Sequence, residues 1–296
     1  MKPQVICFGE ILWDLLPSGK VAGGAPMNVA FQLNQLGTPA DMISRIGSDD
    51  LGREILDFLV EKNVGTKWVQ RDDEHPTGIV RVELDAKGHP QYDIVQNVAW
   101  DFITAESDTL EAVKEAKALV FGSLAARSTT SKKTLLALIA NAPFRVFDVN
   151  LRFPFFSQKL LDELLAEADM VKMNDEELDI IAGWQGFAGN QQQKMSAIKK
   201  AFQLDWLVVT RGAYGAISLD NTGFCSHDGY RVQVQDTIGS GDAFLAGYLS
   251  QFLVGQSPNA CLDFACKMGA YVATKRGGTP PISPTELPDF LQPETE

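Results

Sequence analysis

The sequence predicts an α/β fold: a mostly parallel sheet flanked by helices, with a small antiparallel β lid. Three observations predict it. Short β-branched or aromatic runs recur along the chain, stretches with helical spacing lie between most of them, and one segment alternates with a period of two instead.

In chain order the runs are Val5 to Phe8, Met42 to Ile46, Ala118 to Phe121, Arg145 to Val149, Met170 to Met173 and Trp206 to Thr210. Helical spacing links Ala30, Leu33, Asn34 and Gly37, and again Leu51, Ile55, Phe58 and Leu59. Such alternation builds βαβ units, and sites then gather in loops beyond the carboxyl ends of the strands. From Thr77 to Asp85 the rhythm changes. Ile79, Arg81 and Glu83 alternate with Val80, Val82 and Leu84, Asp85 to His89 suits a hairpin turn, and Gln91 to Val95 is the return strand. With residues about 11–22, the stretch of about 76–98 is expected to form a lid inserted in a single domain of residues 1–296. A lone hairpin is marginal unless its apolar face is covered, by ligand, partner subunit or both.

With 296 residues, 45% of them hydrophobic and 22% charged, the composition is that of a folded globular chain. A net charge of -12 opposes nucleic acid as a partner. Glu10 comes too soon for a signal peptide and no window approaches a membrane span, so a soluble, cytoplasmic protein is expected. Cys7, Cys225, Cys261 and Cys266 form no C-x-x-C pair and read as reduced thiols. With three histidines and no H-E-x-x-H spacing, chemistry must rest on carboxylates and backbone.

Four stretches could carry that chemistry. Asp236-Thr-Ile-Gly-Ser-Gly-Asp242 precedes the apolar run Ala243 to Leu253. A Gly-Ser-Gly turn entering a buried helix aims free N–H groups and the positive helix end at one spot, which suits a phosphate. Asp242 could simply complement the dipole, yet a carboxylate beside an anion cradle repels the ligand unless it handles a proton there. Ala22-Gly-Gly-Ala-Pro-Met-Asn28 opens another helix and offers Asn28 to hydroxyls, though alone it reads as a loop-to-helix turn. Asn174-Asp-Glu-Glu177 is by spacing a capping box, and Glu177 could also hold hydrated magnesium near phosphates. Thr210-Arg-Gly212-Ala-Tyr-Gly215 ends a strand where a nucleotide could sit, or is a plain glycine turn. The pattern G-x-x-x-x-G-K-[ST] is absent, which excludes a P-loop.

These residues carry a resemblance to the ribokinase-like sugar kinases, the family also named after phosphofructokinase B. One signature runs through Gly23-Gly24, Asn28, Ala30 to Gly37 and Gly47, and the other from Asp236 through Gly239-Ser-Gly-Asp242 to Ala246-Gly247. The resemblance implies a Rossmann-like (ribokinase-like) sheet core with a small β lid, ATP, magnesium and phosphorylation of a sugar's terminal hydroxymethyl group. It makes Asp242 the catalytic base and the amides of Gly239, Ser240, Gly241 and Asp242 the anion hole. Asp14, Gly24 and Asn28 become sugar contacts, Asn174, Thr210 and Gly212 nucleotide contacts, and Glu177 a magnesium contact through water. Carbonyls near Asp236 and Ile238 match a monovalent-cation site, suiting potassium.

Gly9-Glu10, Gly23-Gly-Ala-Pro26 and Asp148-Val-Asn150-Leu-Arg152 are most similar to the fructokinase branch, which adds Asn150 and Arg152 to the substrate contacts. Phe155-Phe156 replaces that branch's usual Leu-Trp pair, and Cys266 stands where many relatives carry an Asn beside the nucleotide. Arg152 meets a substrate phosphate or carboxylate, or else forms a structural ion pair with a carboxylate such as Asp148. The expected activity is an ATP-dependent fructokinase working as a homodimer through the lid. Ribose, tagatose or 2-keto-3-deoxygluconate kinases are the near alternatives, and a non-catalytic sugar or nucleotide sensor the distant one.

Overall fold

The computed structural model describes residues 4–16, 19–84 and 90–282, without the side chains of 82–84 and 90–92. The chain opens with β1 (Val5–Phe8), then β2 (Leu12–Leu16), β3 (Gly19–Gly23), α1 (Ala25–Gln35), β4 (Ala40–Gly47), α2 (Asp50–Glu61) and β5 (Gly65–Asp72). Next come β6 (Gly78–Leu84), β7 (Pro90–Ile94), α3 (Ser107–Glu115), β8 (Ala118–Gly122), α4 (Thr129–Ile139), β9 (Arg145–Asp148) and α5 (Gln158–Ala166). The rest is β10 (Met170–Asn174), α6 (Asp175–Trp184), α7 (Gln191–Ala201), β11 (Trp206–Thr210), β12 (Ala216–Leu219), β13 (Phe224–His227), α8 (Ser240–Phe252) and α9 (Pro258–Ala273).

Nine strands form one sheet in the order β13-β12-β11-β10-β9-β8-β1-β4-β5, parallel from β5 to β11 and antiparallel at β12 and β13. All six runs read as strands in the sequence lie in it. Alternate side chains of β1 enter opposite layers: Ile6 and Phe8 pack with α3 to α7, Val5 and Cys7 with α1, α2, α8 and α9. A sheet buried on both faces explains the continuous apolar runs of its central strands. The run from Ala243 folds as α8, whose buried face extends almost all round because α1 and α9 cover it.

A second sheet has the order β3-β2-β6-β7. Its outer pairs are antiparallel and its central pair, β2 with β6, is parallel. Asp49, the N-cap of α2, accepts from Gly52 N at 2.8 Å and from Thr77 N and Oγ1 at 2.8 and 2.6 Å, which ties the entry of β6 to the main body. Val80 is buried within the chain. The Asp85 to His89 turn and the side chains of Val82 and Leu84 lie outside the described residues.

Candidate active site

The parallel strands end on one side of the sheet, and order reverses where β1 lies between β4 and β8. Loops diverge at such a point and leave a crevice. There the second sheet and the loops enclose a cavity of about 640 Å³. Of the residues expected at the site, Asp14, Gly24, Asn28, Asn150, Arg152, Asn174, Glu177, Thr210, Ile238, Gly239, Gly241 and Asp242 line it. Ser240, Asp236, Gly212 and Cys266 do not.

Gly239 is the N-cap of α8 with φ 73°, and a Cβ there would stand 2.5 Å from Gly278 Cα, so both conformation and space demand glycine. Among the described residues, the N–H groups of Gly239, Gly241 and Asp242 have no acceptor, while Ser240 N donates to Thr237 O at 3.2 Å. The cradle therefore offers three amides rather than four. The Ser240 hydroxyl donates to Gly269 O at 2.8 Å and locks the turn onto α9.

Asp242 is buried in the first turn of α8, and Asn28 Nδ2 donates to its Oδ2 at 2.8 Å. Asn28 thereby spends a donor on the carboxylate rather than leaving both amide ends to a hydroxyl. Burial, with Asp148 nearby, pushes Asp242 up to about 6, against the pull of Lys172, Asn28 and Arg152.

Asp14 projects from β2 into the same cavity, and burial raises it to about 6 although Arg152 pulls the other way. Gly23 makes room for it, since a Cβ there would lie 2.6 Å from Asp14 Oδ2. Gly24, at φ 119°, lies so close to the Glu10 carbonyl that any side chain would overlap it. Asn150 adopts a left-handed backbone, φ 40°, two residues beyond the end of β9. Arg152 is exposed and donates to Leu151 O at 3.0 Å. The expected alternative of an Arg152–Asp148 ion pair is corrected here: Lys172 Nζ occupies Asp148 Oδ1 at 2.9 Å.

Among the residues expected to meet the nucleotide, Asn174 forms the capping box of α6 with Glu177. Asn174 Oδ1 accepts from Glu177 N, and Glu177 Oε2 from Asn174 N, both at 2.8 Å. Glu177 Oε1 also accepts from Leu151 N at 2.8 Å, joining α6 to the Asn150 loop. Each oxygen keeps one lone pair, which fits a hydrated magnesium better than direct coordination. No group of three metal-ligating side chains occurs among the described residues. Thr210 Oγ1 donates to Met173 O at 3.5 Å, and Gly212, at φ 56°, lies beyond the end of β11 outside the cavity lining. Cys266 is buried on α9, its thiol pushed up to about 12 by burial and Asp263. Asp236 accepts from Ile238 N and Gly277 N, both at 3.0 Å. The carbonyls of Asp236 and Ile238 receive no N–H bond among the described residues, as a monovalent-cation site requires.

Two cavity residues were not singled out from sequence as ligands. Lys172 is the one charged letter in the buried strand Met170–Asn174, a signal that was available. Glu10 lines the floor; its Oε1 accepts from Ala25 N at 3.2 Å, and burial pushes it up to about 7. Its position in a Gly-Glu pair marked a branch, and nothing local announced its contact with Ala25.

Residues 18–286 match the family model described as pfkB family carbohydrate kinase. The fructokinase of Salmonella typhimurium is 29% identical over 297 residues, covering 94% of this chain and 95% of that protein. A double mutant of fructokinase from Vibrio cholerae O395, solved in fructose, ADP and potassium ion bound form, has TM-score 0.84 and 25% identity, covering 98% of this chain and 99% of that one. A sugar kinase from Pyrococcus horikoshii in complex with ATP has TM-score 0.79 and 28% identity, covering 93% and 94%. The family match spans both the glycine cradle with its buried carboxylate and most of the second sheet, and so the chain belongs to the pfkB family of carbohydrate kinases.

Proposed function

We propose that this kinase is a fructokinase, moving the terminal phosphoryl group of ATP to the terminal hydroxymethyl oxygen of D-fructose. The observation that carries the reading is the buried Asp242 carboxylate beside three unpartnered amides, across one cavity from Asp14. The sugar O–P bond forms as the P–O bond to the departing ADP breaks, and the hydroxyl proton passes to Asp242. A sugar hydroxyl is far too weak an acid to be ionised beforehand, so in a loose transition state the proton leaves late and Asp242 needs position more than basicity. Amides of Gly239, Gly241 and Asp242 are already aimed at the developing charge. Asp14, with Gly24, Asn28 and Asn150, holds the sugar, while Asn174 and Thr210 face the nucleotide. The small sheet acts as a lid that excludes water, the competing acceptor.

Glu177 would hold magnesium through water, which would supply charge to neutralise the phosphates, and the carbonyls of Asp236 and Ile238 would suit potassium. The Salmonella relative is named a fructokinase, and the Vibrio structure holds fructose, ADP and potassium ion. Four free cysteines accord with a reducing cytoplasm. Pairing of lids in a homodimer belongs to the same reading. Its support is the pair of edge strands β3 and β7; the cover of Val80 comes from within the chain and argues for no partner.

The test is kcat/KM over fructose, ribose, tagatose, glucose, adenosine and 2-keto-3-deoxygluconate, for the unaltered chain and Arg152→Ala. Fructose is expected to lead. A keto-acid preference abolished by the substitution would overturn the fructose assignment in favour of Arg152 as a carboxylate ligand, and tight sugar binding without turnover would favour the sensor.

A further inference from the structure

Lys172 stands in the middle of β10 with its side chain buried, yet its ammonium reaches the cavity. Two contacts locate it. Nζ donates to Asp148 Oδ1 at 2.9 Å, and a Cβ on Gly241 would come within 3.1 Å of Nζ, so the charge rests against the amide cradle. An ammonium has three N–H donors, and only the bond to Asp148 is present among the described residues. Asp148 Oδ2 is likewise buried without a partner. A pair serving only to hold the core would satisfy more of its donors and acceptors, because buried polar groups left unpaired are costly.

Burial alone would push the Lys172 ammonium toward neutrality, but Asp148, Glu177 and Asp242 outweigh it and keep it charged. A buried cation with spare donors, next to three unpartnered N–H groups, calls for an anion placed where those groups converge. We propose that Lys172 is a direct ligand of the transferring phosphoryl group, donating to an oxygen of the third phosphate of the nucleotide while Asp148 fixes its position. The nucleotide part of this rests on the reading above; the choice of sugar does not enter. Glycine at 241 also leaves the ammonium room, since a Cβ there would press on it at 3.1 Å.

The experiment compares binding of ADP with that of a non-hydrolysable ATP analogue by calorimetry, magnesium present and sugar absent, alongside kcat with the best sugar. Lys172→Met alone strands Asp148 in the interior and is expected to lower Tm. Asp148→Asn combined with Lys172→Met removes both charges, and its Tm is expected to return toward the starting value. In both variants the analogue should lose ~10–100-fold in affinity, the range of a hydrogen bond to a charged group, while ADP loses less than about threefold. The double variant should also lose ~10²-fold or more in kcat. Equal weakening of ADP and the analogue, or a double variant whose affinity ratio and kcat stay within about threefold of the original, would overturn the assignment. Absence of turnover with fructose would count against the fructose reading alone, because the binding comparison uses no sugar.

Discussion

Replacing Asp242 by Asn should abolish most turnover and, at neutral pH, make the protein more stable. The carboxyl is buried, and its folded value of about 6 lies above the ordinary 3.8. At ~1.4 kcal/mol per pH unit, holding it ionised costs roughly 3 kcal/mol even after the help of Lys172, Asn28 and Arg152. Because the folded value is raised, the stability is fully present below about 3.8 and is lost as pH rises through about 6. An Asn of the same shape keeps an oxygen for Asn28 Nδ2 and carries no charge. We expect a gain of ~1–3 kcal/mol at pH 7.5, or about 2–6 °C in Tm for a chain of this size, shrinking to nothing near pH 4. kcat should fall by ~10²–10⁴ with ATP binding kept, and the kcat of the unaltered chain should decline as pH drops below about 6. Coupled turnover assays and scanning calorimetry at three pH values measure both. Near-normal turnover would refute the base, and a lower Tm at pH 7.5 would refute the burial cost.

Glu177→Gln should weaken the response to magnesium and reduce kcat more than it raises the sugar KM. It should also cost about 1–3 kcal/mol, because an amide NH2 would face the N–H of Asn174 or Leu151. Full activity in excess chelator would refute the metal role, and an unchanged Tm would refute the structural one. Light scattering at micromolar concentration should give the mass of a dimer; a strictly monomeric mass would count against pairing through β3 and β7.

Legibility followed burial and chain distance. The central strands and α8 stand out in the sequence because both of their sides are covered, which leaves unbroken apolar runs. β5, β12 and β13 were not singled out. β5 and β13 are edge strands with mixed exposure, Gly65–Asp72 and Phe224–His227, while β12 is buried but only four residues long, and a one-sided or short pattern is weak. The glycine cradle was legible because turn and helix start are local in sequence. The partner of Asp148 was not: Lys172 is 24 residues away, and only parallel pairing of β9 with β10 sets the two side by side. Asn28 meets Asp242 across 214 residues, so its donor could be assigned to the sugar by type but not to the base by position.

The charge distribution around the cavity explains why such a site tolerates its own cost. Glu10, Asp14, Asp148, Glu177 and Asp242 converge on two cations, Lys172 and Arg152, and ionising all five carboxylates in a half-dry cavity would be prohibitive. Burial answers by raising Glu10 to about 7 and Asp14 and Asp242 to about 6, so that near neutrality the group sits at the edge of taking up protons. A neutral sugar relieves that tension through hydroxyl donors, whereas a polyphosphate would worsen it unless a cation arrives alongside. Lys172 and the three amides of α8 gather positive charge at one end of the site, and in the proposed reading that is the phosphate side, with Asp14 on the sugar side. Asp242 lies on the boundary between them. Its carboxylate is held there by Asn28 from one helix and by its own helix start from another, so the expensive charge is confined to the one place where the proposed mechanism needs a proton accepted.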